Sequence, residues 1–152
     1  MPSIGRRNAA GIASRGEMKT VVVTAALIIE QGKILVTQRK KGSSRALLWE
    51  FPGGKVKEGE EPREALRREL AEELEVEVEV GMIFDAVFYS YPEYPVLLLI
   101  YRCRVEKGPP RPIACQDLRW VTLGELEKLA MPPADDPVRK HLLSSREKLL
   151  LL

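Results

Sequence analysis

The stretch Gly54–Val76, GKVKEGEEPREALRRELAEELEV, constrains this chain more than any other. Leu66, Leu70 and Leu74 recur every fourth residue, so a helix through this stretch buries one stripe against a core. Pro62 fits the first turn of that helix, where a missing N–H costs nothing, and the stripe ends near Leu74. Glu69, Glu72 and Glu73 stand at i, i+3 and i+4 directly after Arg68, which sets them on one face beside the core. Three carboxylates at that spacing repel one another unless a cation sits among them. Hard divalent cations such as Mg²⁺ take oxygen ligands in enzymes that act on phosphates.

Charge is unevenly spread. Between Glu58 and Glu79 ten acids against three bases give −7, which leaves +9 for the rest of a chain whose net charge is +2. The acidic segment suits metal ions, and the basic remainder suits phosphate-bearing ligands. A solvated helix in a mildly basic protein is the other reading of the same count. No long Lys/Arg tract of the nucleic-acid kind occurs, so a nucleic acid polymer is not expected as a partner.

The 152 residues suit one domain. No apolar run approaches the roughly 18 residues that span a bilayer, so no membrane is expected. Cys103 and Cys115 do not resemble a disulfide framework, which favours a reducing cytosol, and with the single histidine His141 a zinc site has almost no material. Residues 1–17 contain Arg6, Arg7 and Arg15 but lack the apolar core of a secretory signal. They read as an extension with little fixed structure, although their composition also admits an organellar transit peptide. The domain then runs from 18 to 152. Oligomeric state is left open.

The apolar, β-branched run Thr20–Glu30 predicts a buried strand, and Gln31-Gly32 turns it into a second, Lys33–Gln38. Arg39–Leu48 predicts a loop that leads through Trp49–Phe51 to Pro52-Gly53-Gly54. Further strands are predicted at Val76–Val80, Ile83–Tyr89, Val96–Val105 and Leu118–Val121, with a turn at Tyr91–Pro95 and a loop at Gly108–Pro112. Helices are predicted at Leu123–Ala130 and Pro137–Leu150, the leucines 149–152 ending the last one. The pattern is a mixed sheet with flanking helices.

From Gly54 the spacing runs Gly, five residues, Glu60, seven residues, then Arg68-Glu69-Leu70-Ala71-Glu72-Glu73. This resembles the signature of the Nudix hydrolases, G-x5-E-x7-R-E-U-x-E-E-x-G-U with U apolar. Leu48–Lys55 and Met131–Val138 resemble the MutT branch of that family, and the resemblance covers about 20 to 141. It implies an α/β/α sandwich around a mixed sheet. It also implies hydrolysis of a nucleoside triphosphate to monophosphate and pyrophosphate, with Mg²⁺ (or Mn²⁺) as cofactor and a role in sanitising the nucleotide pool. By resemblance, Glu69, Glu72, Glu73 and the Gly53 carbonyl hold the metal, and Arg68 orients the carboxylates. Arg39, Glu50, Phe51, Pro52 and Asp135 meet the nucleotide; at the residue level Arg39 also reads as a solvated strand end, Asp135 or Asp136 as a helix N-cap and His141 as a helix surface residue. An ionised Asp135 accepts from the N4 amino group of cytosine, whereas a protonated one donates to a purine carbonyl, so CTP and an oxidised guanine nucleotide both stay open.

Two positions depart from the family pattern. Glu75 stands where the signature has glycine, so the helix is expected to end without a left-handed exit. Ala114 stands where MutT relatives carry an accessory glutamate, and Asp117 on a strand is expected to face elsewhere. A catalytically weak Nudix-fold nucleotide-binding or regulatory domain is therefore the alternative reading.

Overall fold

Strand β1 (Val21–Glu30) is the spine of the molecule. Its side chains alternate: Ala25 and Leu27 enter one core, Ala26 and Ile28 the other. It pairs in parallel with β6 (Pro95–Lys107), from Val21↔Val96 to Ile28↔Cys103. A two-residue turn, Gln31-Gly32 with φ of 51° and 75°, returns the chain into antiparallel β2 (Lys33–Gln38). Both central residues take the left-handed backbone that matches the twist of a hairpin. β3 (Trp49–Glu50) and β7 (Asp117–Val121) pair with β2, β4 (Gly53–Lys55) pairs with β1, and β5 (Glu77–Ser90) lies outside β6. The sheet order is β3-β2-β1-β6-β5.

This is a computed structural model that describes residues 18–145. The segment read as an extension, 1–17, and the leucines 149–152 lie outside the described residues. Helix α1 (Pro62–Leu74) covers one face of the sheet, where Leu66, Leu70 and Leu74 meet Ala26, Ile28, Leu35 and Tyr101. Helices α2 (Leu123–Lys128) and α3 (Asp136–Leu143) cover the other, where Leu126, Val138 and Leu142 meet Leu27, Val36, Leu98 and Ile100. The result is the expected α/β/α sandwich around a mixed sheet. Each of the three fully buried α1 leucines contributes about 1.5–3 kcal/mol of transfer free energy. Among the described residues no helix is long and apolar enough to cross a membrane.

Four expectations need correction. Val76–Val80 and Ile83–Tyr89 are one strand, bent by register shifts on either side of Ile83. Gly81 keeps it continuous, because a Cβ there would stand 2.9 Å from the Arg102 carbonyl oxygen. α2 stops at Lys128 because Leu129 turns extended (φ −73°, ψ 144°) and the Arg139 guanidinium donates to the carbonyls of Leu126 and Leu129 at 2.9 and 2.8 Å. α3 begins at Asp136 and ends at Leu143; the Ser144 and Ser145 hydroxyls donate back to the carbonyls of His141 and Leu142.

The fourth correction concerns Glu75. α1 does exit left-handed, with Glu75 at φ 59°, ψ 41°. A side chain in that region costs roughly 1–2 kcal/mol, and here the following loop holds it. The amides of Arg111 and Ile113 donate to the carbonyls of Leu74 and Glu73 at 2.9 and 3.0 Å, and the Arg111 guanidinium pairs with the Glu75 carboxylate. The open end of the helix is thus capped by amides from far along the chain.

Candidate active site

The exposed side of α1 is organised by one guanidinium. Arg68 donates through Nε and Nη2 to both oxygens of Glu60 at 2.8 and 2.9 Å, and through Nη1 to Glu69 Oε2 at 2.9 Å and Glu72 Oε1 at 3.1 Å. Its Nη2 also reaches the Lys55 carbonyl at 3.2 Å, which ties the helix to the glycine turn. The Arg68 bond, with the Lys57 amide behind it, holds the Glu60 carboxyl down at about 2. Glu69 lies against backbone: a Cβ on Gly54 would run into its carboxylate. Glycine at 54 is therefore a steric requirement of the carboxylate beside it.

Glu73 has a different environment. Its Oε1 is buried without a hydrogen-bond partner. Burial, then the charges of Glu50 and Glu69, push its carboxyl up to about 8, against the pull of Arg39. The amides of Ile113 and Ala114 donate to its backbone carbonyl, which brings Ala114 and Cys115 to the rim of the same cavity, about 190 Å³ and also lined by Arg39 and Glu50.

A neighbouring cleft of about 150 Å³ has Val23, Ala25, Val96 and Leu98 as an apolar floor and Phe51, Tyr91 and Tyr94 as aromatic walls. Arg39 and Glu50 line this cleft as well, so the two spaces share a wall made of one ion pair, Arg39 Nη1 to Glu50 Oε1 at 3.0 Å. Arg39 is further fixed by Ser44, its Nε donating to the Ser44 carbonyl at 2.8 Å. At the far side stands Asp135, only 7% exposed, with Oδ2 lacking a partner. Burial and then the Glu50 charge push its carboxyl well above the usual range; the Phe51 amide and the Arg39 charge pull the other way. Asp135 occupies the N-cap position of α3, yet its side chain makes no capping bond.

Of the residues singled out from the sequence, Arg39, Glu50, Phe51, Gly53 and Asp135 line the cleft. Pro52 does not: it is buried and its carbonyl accepts the Ala26 amide at 2.8 Å. His141 is on the helix surface, stacked on Phe84 and paired with Asp85 at 3.1 Å. Tyr91, Tyr94, Arg45 and Lys55 also line the cleft and are not singled out by the sequence pattern. Arg45 lies 3.6 Å over the Tyr91 ring and Lys55 lies 5.2 Å over Tyr94, while the Tyr91 hydroxyl accepts the Ala134 amide at 3.0 Å. The available signal was two tyrosines bracketing Pro92-Glu93, which read only as a turn.

A NUDIX domain model matches residues 24–141. The chain is 36% identical over 129 residues to a CTP pyrophosphohydrolase of Escherichia coli K12, covering 85% of this chain and 96% of that protein. It is 40% identical over 119 residues to a putative 8-oxo-dGTP diphosphatase 2 of Mycobacterium tuberculosis H37Rv, covering 78% and 84%. Its fold matches the crystal structure of a MutT protein from Methanosarcina mazei Go1 with a TM-score of 0.73 at 26% identity, covering 84% and 94%. The chain belongs to the Nudix hydrolase family. Nudix hydrolases are generally dependent on a divalent metal, and this Nudix enzyme has donors that suit one. Among the described residues no three acidic, histidine or cysteine side chains converge on one point, because Arg68 draws Glu69 and Glu72 to itself while Glu73 turns inward. The orphaned buried oxygen of Glu73, together with like charges that push its carboxyl up, is a donor set that a dication would satisfy. All of these donors are hard oxygens, as Mg²⁺ and Mn²⁺ prefer.

Proposed function

We propose that this Nudix hydrolase cleaves a nucleoside triphosphate into the monophosphate and pyrophosphate, with Mg²⁺ as its cation, Mn²⁺ able to replace it, and an oxidised guanine nucleotide such as 8-oxo-dGTP as preferred substrate. The observation that carries this reading is the wall shared by the two spaces. A base in the cleft and phosphates beside α1 can belong to one ligand. The activities named for the Escherichia coli and Mycobacterium tuberculosis relatives support it.

Glu69, Glu72, Glu73 and the Gly53 carbonyl would hold the cation. Once bound, it would neutralise triphosphate charge and activate water for attack on phosphorus. Arg68, clamped by Glu60, fixes where Glu69 and Glu72 present their oxygens. Gly54 leaves room for the Glu69 carboxylate beside the turn, and Gly53 lets the turn lie directly against the β1 backbone at Thr24. The apolar floor and the two tyrosines exclude water from the nucleoside.

Base choice follows from Asp135. Burial favours its neutral form, which offers one O–H donor and one carbonyl acceptor. Oxidation at C8 turns guanine N7 from an acceptor into an N–H donor beside the O6 acceptor, and a neutral carboxylic acid complements that pair. CTP is the second reading. The charges of Arg39 and Arg139 favour the ionised form, an acceptor for the cytosine amino group. Such an activity would serve nucleotide-pool sanitation and DNA repair in the cytosol. The test is pyrophosphate release with Mg²⁺ from 8-oxo-dGTP, dGTP and CTP. The expected result is a kcat/KM for 8-oxo-dGTP at least about tenfold above dGTP. Faster turnover of CTP selects the second reading, and release from no triphosphate overturns both.

A further inference from the structure

We infer that Glu50 supplies an oxygen ligand to the divalent cation held by Glu73, completing the acidic wall that residues 114–117 leave incomplete. The inference rests on the cation reading above. Among the residues that line the cavity at Glu73, the acids are Glu73 and Glu50. The 114–115 rim of the cavity offers the methyl group of Ala114 and the thiol of Cys115, whose Sγ donates to the Asp117 carbonyl at 3.3 Å. That rim is pinned, because the Ile113 and Ala114 amides both donate to the Glu73 carbonyl, at 3.0 and 3.1 Å. Asp117 is engaged elsewhere: its Oδ1 accepts the Leu118 amide at 2.8 Å and its Oδ2 lies 3.9 Å from Arg119 Nε.

Glu50 is well placed for the part. It sits on β3 opposite Thr37, its side chain is 23% exposed, and Arg39 holds Oε1 at 3.0 Å. A carboxylate fixed by one guanidinium contact keeps acceptor capacity on both oxygens for a second partner. In the same cavity lining stands Glu73, whose Oε1 is buried with no partner. A dication between the two carboxylates removes their repulsion and uses that orphaned oxygen. The competing role, that Glu50 only holds Arg39 for the nucleoside, makes a different forecast for the metal.

The experiment is Mn²⁺ binding to the full chain without nucleotide, followed by the electron paramagnetic resonance of free Mn²⁺, with circular dichroism to establish that each variant is folded. Glu50→Gln is expected to weaken Mn²⁺ binding about ten- to a hundredfold, the range typical when groups around a metal are removed. Glu50→Asp is expected to keep more affinity than Glu50→Gln. Arg39→Gln, which breaks the ion pair but spares the carboxylate, is expected to bind Mn²⁺ at least as well as the wild type. Adding Ala114→Glu to Glu50→Gln is expected to restore affinity, because residue 114 faces the same cavity. Wild-type affinity in Glu50→Gln, an equal loss in Arg39→Gln, or no recovery in the double variant overturns the inference. Glu73→Gln separates the two levels: if Mn²⁺ binding survives it, the cation reading itself falls and Glu50 with it. If Glu73→Gln loses the metal while Glu50→Gln keeps it, only the Glu50 assignment falls.

Discussion

Asp135 shows how a residue's surroundings decide its chemistry. A carboxyl buried beside Glu50 has its pKa raised, so its neutral, donating form persists to higher pH than for a free aspartate and is lost as pH rises through the shifted value. The ratio of kcat/KM for 8-oxo-dGTP to that for CTP should therefore fall with rising pH in the wild type. Asp135→Asn, whose amide presents one donor group and one acceptor group at every pH, should make that ratio flat. Each base contact contributes on the order of 1–3 kcal/mol of discrimination, so the change should reach roughly tenfold or more. A flat ratio in the wild type would show that Asp135 does not read the base. Helical spacing singled out Glu73, and the resemblance to the Nudix family pointed to Asp135 and Arg39. The sequence could not reveal that Asp135 Oδ2 is buried without a partner, or that Glu50 acts on both Asp135 and Glu73, because those facts depend on strands and helices distant in sequence packing around them. The cleft tyrosines were hidden for the same reason.

Among the elements, α1 was legible almost to the residue, since a leucine stripe, an N-terminal proline and a run of helix formers all agree. Its end was not. Propensity alone says a glutamate avoids left-handed backbone, and the amides of the 111–114 segment that hold it there are some forty residues downstream along the chain. Glu75→Gly should relieve the backbone cost and raise the unfolding free energy by about 1 kcal/mol, read as a higher urea midpoint with an unchanged slope. A lower midpoint would mean that the pairing of Arg111 with Glu75 outweighs the strain. The sequence pattern predicts two strands where β5 is one, for a related reason. Its alternation breaks at Gly81 and Met82, and only pairing with β6 shows the chain continuing through the irregularity.

At the scale of the whole molecule, two hydrophobic cores lie on opposite faces of one sheet, and the parallel pair β1–β6 belongs to both. Neither face can be lost while that pair survives intact. Leu70→Ala on one face and Leu126→Ala on the other should each lower a single shared thermal transition, by about 2–5 kcal/mol. Saturating Mg²⁺ should raise that same transition, by about 2.7 kcal/mol at a hundredfold excess over its dissociation constant. Two separate transitions, or a midpoint indifferent to Mg²⁺ and to chelator, would contradict the arrangement. The Arg39–Glu50 pair has a consequence of another kind. Because each space borrows the same two side chains, a mutation of Arg39 or Glu50 that retunes which base is accepted also disturbs the acidic cavity next door. Selection on substrate range in this lineage is therefore coupled to selection on rate, and routes to a new preference should run first through Tyr91, Tyr94 and Arg45, which line the cleft alone.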